Sequence, residues 1–68
     1  MELETIFNAI FDAEETYNAE NISVVLNEKL LVMCNDKVLN SFDIKNLDDS
    51  DIEKINGLCN YLSLKFKN

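Results

Sequence analysis

The sequence predicts an α+β domain in the order α-β-β-β-α, a three-stranded antiparallel meander with two helices packed on one of its faces. Three observations carry this reading. Apolar residues recur at helical spacing near both ends of the chain, three short apolar runs lie between, and only brief polar segments separate those runs. With 68 residues in all, positions 1–68 make one domain, and a chain of this size buries only roughly 60% of the surface its unfolded form exposes. A second subunit is one of the few ways to enlarge so small a core.

Residues 2 to 19 read as an amphipathic helix. On a helical wheel Leu3, Ile6, Phe7, Ile10, Phe11, Ala13 and Tyr17 fall within an arc of about 160°, wide enough to face a core. The helix is expected to end between Asn18 and Asn21, because asparagine tolerates the left-handed conformation that a C-cap uses. Ile22 to Leu26, Leu30 to Cys34 and Val38 to Ile44 then read as strands. Asn27-Glu28-Lys29 and Asn35-Asp36-Lys37 connect them, each offering an Asn or Asp that accepts positive φ. Connections this short force antiparallel pairing. The middle run, Leu30-Leu31-Val32-Met33-Cys34, is apolar throughout, the pattern of a strand covered on both faces.

Residues 48 to about 64 read as the second helix. Asp48 as N-cap puts Leu47 and Ile52 at the two positions of a hydrophobic staple and places Asp49 and Asp51 in the first turn, where the helix dipole favours acids. Ile52, Ile55, Leu58, Cys59, Leu62 and Phe66 share an arc of about 120°. A competing reading remains: residues 62 to 67 also alternate with period two, so a helix broken at Gly57 and followed by a fourth strand fits the same letters.

The composition removes most function classes. There is no His, Arg, Pro, Trp or Gln and a single glycine, Gly57, so glycine-rich phosphate loops, histidine bases and arginine clamps are all excluded. No activated nucleophile stands out, and no enzymatic activity or cofactor is expected. Thirteen acidic residues against six lysines give a net charge of −7, which argues against direct contact with nucleic acid or an anionic membrane and for a basic protein partner. Cys34 and Cys59 lie in no CxxC motif and read as buried free thiols, as suits a reduced, cytoplasmic setting. The first residues carry neither the basic region nor the apolar core of a signal peptide, and no apolar run approaches the length of a membrane span, so a soluble chain is expected.

Two acidic groups stand out. The first twenty residues hold six carboxylates and no lysine. Glu2 and Glu4 suit the helix N-terminus, whereas Asp12, Glu14, Glu15 and Glu20 lie where the dipole prefers cations. Glu4, Asp12, Glu15 and Glu20 are therefore the candidate stripe for docking a basic partner. The second group, Asp43, Asp48, Asp49, Asp51 and Glu53, surrounds the entry to the second helix. Asp49 and Asp51 have the alternation of a calcium loop, but Ile52 and Lys54 interrupt it and no central glycine is present, so no metal site is expected.

Two apolar features complete the candidate list. Leu31 and Met33, with Val25 or Leu39, point away from helices that can cover only one face, which predicts a homodimer through the open sheet or an edge. Gly57, Tyr61 and Leu64 form a secondary stripe on the outer face of the second helix, where a mid-helix glycine invites close approach by a neighbour.

No motif ties the chain to a family. In size, charge and composition it is similar to the small acidic inhibitors that phages encode against host defence systems, anti-CRISPR and DNA-mimic proteins among them. That likeness carries no residue across; what it implies is an inhibitor that blocks a basic, nucleic-acid-handling protein in the host cytoplasm. The competing expectation is a small dimeric adaptor or chaperone-like subunit that binds through its apolar patches.

Overall fold

The computed structural model describes residues 2–68. Helix α1 spans Glu2–Thr16, strands β1, β2 and β3 span Ile22–Leu26, Leu30–Cys34 and Lys37–Phe42, helix α2 spans Asp49–Tyr61, and a short strand β4 spans Lys65–Lys67. The sheet order is β3-β2-β1-β4. The first three strands form the expected antiparallel meander, and β4 adds to the free edge of β1 in parallel.

Alternation along the strands decides what each face carries. Ile22 and Val24 of β1 and Leu30 and Val32 of β2 are buried, together with Leu3, Ile6, Ile10 and Ala13 of α1 and Ile55 and Cys59 of α2. Both helices thus lie on one side of the sheet and close a single core. Phe7, Leu39, Phe42, Ile44 and Phe66 pack around its margin. Fully burying one such aliphatic side chain contributes about 1.5–3 kcal/mol, so this cluster supplies most of the driving force for the fold.

The turns follow the residues available. Asn35 opens the β2–β3 turn with φ 54°, the conformation anticipated for it, and its N–H donates to the Asn21 carbonyl at 2.9 Å. A bulge interrupts the β2–β3 register between Val32 and Met33: Val32 pairs with Asn40 and Met33 with Val38, so Leu39 is the extra residue. A bulge re-aims the residue that it inserts, and Leu39 packs against the core. Val25, not Leu39, therefore accompanies Leu31 and Met33 on the opposite face.

Three boundaries differ from those read in the sequence. Helix α1 stops at Thr16 and a 3-10 turn follows over Ala19–Asn21. Asn18 is extended (φ −69°, ψ 129°) and not left-handed; its side chain accepts from the Glu20 N–H at 3.5 Å and donates to the Glu20 carboxylate at 3.1 Å. Asn18 thus caps the turn that swings the chain into β1. Strand β3 starts one residue early and ends at Phe42, two residues short of Ile44.

The largest difference concerns the end of α2. Asp48 is its N-cap, in a reciprocal box: the Asp51 N–H donates to the Asp48 carboxylate at 2.9 Å, and the Asp48 N–H donates to Asp51 at 3.2 Å. The helix runs unbroken through Gly57 but stops at Tyr61. There the Leu64 N–H donates to the Cys59 carbonyl at 2.8 Å and the Ser63 N–H to the Asn60 carbonyl at 3.2 Å. With Ser63 at φ 61°, these bonds make a Schellman ending in which serine occupies the position glycine usually takes. The turn carries Leu64 back into the core and aims residues 65–67 along β1.

Candidate protein-interaction surface

The outer face of α1 presents Glu4, Asp12 and Glu15, all exposed. They share one side because positions 4, 8, 12 and 15 follow helical spacing. No basic residue occupies the last turn, so nothing in the helix offsets Asp12 and Glu15 at its negative end. Glu20, read as a continuation of this stripe, leaves it: the helix has already ended, and the side chain is held by Asn18 in the 3-10 turn.

Phe11 belongs to this surface, although the helical pattern of the sequence places it in the core. It is 41% exposed. Buried α1 residues occupy only about 80° of the wheel, because a helix lying on a flat sheet beside a second helix presents a narrow stripe. Phe11 lies beyond that stripe, beside Glu4 and Glu15, so an aromatic ring borders the carboxylates. The outward rim of the predicted arc was the signal available for finding it. Tyr17, also read as core, is 40% exposed just past the helix end.

The second acidic group divides by role. Asp48 and Asp51 are committed to the cap, whereas Asp43, Asp49 and Glu53 are exposed. Asp43 lies just past the end of β3, between Phe42 and Ile44, which both pack against the core.

The face of the sheet opposite the helices carries two rows set by the strand register. One runs Val38, Met33, Ser23, Lys65 and the other Ser41, Leu31, Val25, Lys67, each from β3 across to β4. Leu31, Met33 and Val25 are half-buried by their neighbours within the sheet, and Val38 is 47% exposed. Beside β4 the face dips into a depression of about 420 Å³ lined by Glu20, Asn21, Ser23, Asp36, Lys65 and Lys67, among others.

The outer stripe of α2 keeps two of its three expected members. Gly57 is exposed and Tyr61 is 82% exposed. Leu64 is not available for contact: it lies beyond the helix end and is buried in the core. Nor is Gly57 closely approached, since nothing lies within 4 Å of where a Cβ would stand.

Cys59 is buried as expected, whereas Cys34, at the end of β2, is half-buried; both are free thiols. Removal from water pushes the Cys59 thiol up to about 11 from 9.0, so it stays protonated and unreactive at neutral pH. No helix among the described residues is long and apolar enough to cross a membrane. Compared with known protein families, with curated proteins and with solved structures, the chain matches none.

Proposed function

We propose that the chain is a protein-binding inhibitor whose acidic helix docks on a basic surface of a nucleic-acid-handling target. The observation that carries this reading is the outer face of α1: Glu4, Asp12 and Glu15 exposed together, with no lysine anywhere in the helix and Phe11 exposed at their edge. A solvated helix gains stability from cations in its last turn, at about 0.3–1 kcal/mol each. This one forgoes them. A surface of that kind suits a groove lined with lysine and arginine, where like-signed residues would repel the ligand and an aromatic ring adds apolar contact.

The test is affinity capture from the source cell, followed by titration of the captured protein with wild type and with the triple variant Glu4→Gln, Asp12→Asn, Glu15→Gln. The variant keeps the fold and loses about 1–3 kcal/mol of binding at low salt, much of it in the association rate. Wild-type affinity falls steeply as salt rises. Equal affinities at low salt would remove the reading. A second reading, an adaptor contacting its partner through apolar surface, is favoured by the exposure of Tyr61 beside open space at Gly57; it predicts affinity that barely changes with salt and falls with Tyr61→Ala.

A further inference from the structure

We infer that the open face of the sheet is an interface between two copies of this chain, packed about a two-fold axis that runs parallel to the strands. The face carries contiguous apolar surface, Val25, Leu31, Met33 and Val38, that takes no part in the core. What selects a second copy as its occupant is the arrangement of charge at the two edges. Lys65 and Lys67 stand on β4, and both fall in the open-face rows. On the opposite edge, β3 is followed by Asp43, which is exposed. Lys37, the one lysine within β3, is in register with Cys34, which packs on the helix side, so it leaves the open-face rows.

A two-fold axis along the strands turns the sheet over and exchanges its edges while keeping strand direction. The β4 edge of one copy then lies over the β3 edge of the other. Leu31 meets Val25 of its counterpart and Val25 meets Leu31, so the apolar centre covers itself. Lys67 lies over Ser41 with Asp43 just beyond. The usual offset of about 30° between packed sheets leaves these pairings in reach. An axis across the strands would instead stack lysine on lysine. A basic partner is disfavoured on this face by the same lysines, which separates it from the acidic surface of α1. Glu20 and Asp36 of the same chain line the depression beside Lys65 and keep that edge from being strongly cationic, so the apolar centre supplies most of the attraction.

The experiment is sedimentation equilibrium on the full chain from about 10 μM to about 1 mM in 0.15 M salt. The mass rises with concentration toward twice the 7.8 kDa of one chain. Leu31→Glu holds it at one chain mass across the range while its circular dichroism and unfolding cooperativity stay those of wild type, because the side chain lies outside the core. Lys67→Glu and Asp43→Lys each weaken dimerisation about tenfold, and the double variant recovers to within about threefold of wild type. The triple variant of α1 dimerises as wild type does, so this result is independent of the proposed docking function. A constant monomer at 1 mM, a dimer indifferent to Leu31→Glu, or a charge exchange that fails to restore affinity would each overturn the inference.

Discussion

Ser63 holds a positive φ at a position where a Cβ costs roughly 1 kcal/mol, while Gly57 sits mid-helix in open space, where the missing Cβ costs a similar amount. Each position suits the other's residue type. Ser63→Gly and Gly57→Ala are therefore both expected to stabilise the fold, by roughly 0.5–1 kcal/mol each, read as a higher urea midpoint with unchanged slope. Cys59 gives a residue-scale dependence on pH. Its folded-state thiol is pushed up to about 11 by burial, from 9.0. Below pH 9 both folded and unfolded chains keep the proton and stability is complete; above it the unfolded chain ionises first, so stability falls as pH rises toward 11, by on the order of 2 kcal/mol. Urea titrations at pH 8 and pH 10.5 show this slope in wild type, and Cys59→Ala lacks that share of it.

Among the elements, α2 is held at its start by Asp48. Asp48→Ala removes the acceptor for the Asp51 N–H and is expected to cost about 1 kcal/mol, whereas Asp48→Asn keeps an acceptor and costs a few tenths; thermal unfolding of the two variants separates the cap from the charge. That cap was legible in the letters, as were β1 and β2 to the residue, because a staple pattern, short apolar runs and an asparagine turn are all local signals. The end of α2 was not. Its stop is a left-handed serine, which carries no composition signal. Leu62 and Phe66 also fall on the helical arc as readily as on a strand. Once the chain turns at Ser63 the wheel's phase no longer applies, which is why Leu64, outward on a continued helix, is inside. Phe11 failed for a different reason: the width of a buried stripe depends on what covers the helix, and that is decided by the sheet and by α2.

For the molecule as a whole, net charge and its placement oppose compactness. The chain carries −7, and α1 contributes no cation, so self-repulsion lowers the stability of the folded state at low ionic strength. Raising salt from about 0.01 to 0.15 M shortens the screening length from about 30 to about 8 Å. Stability is expected to rise over that interval by a few tenths to about 1 kcal/mol, measured by chemical unfolding at a concentration low enough to keep the chain monomeric. The triple variant of α1, with three fewer negative charges, should show a smaller rise. If the two respond equally, the charges on α1 are not a significant source of strain.

The parallel pairing of β4 with β1 joins the first strand to the last element of the fold, and it has a kinetic consequence. The meander closes through short turns and can form early, but the pairing of Val24 with Phe66 must wait for α2 to form, end and reverse direction, and closing so long a loop is slow. Until then the outer edge of Ile22–Leu26 offers unpaired backbone groups on a strand of high β-propensity, a template for another chain. Three residues, Lys65–Lys67, close that edge. The time they take to dock sets how long a folding chain is open to strand exchange with its neighbours, and that interval grows more consequential as concentration rises.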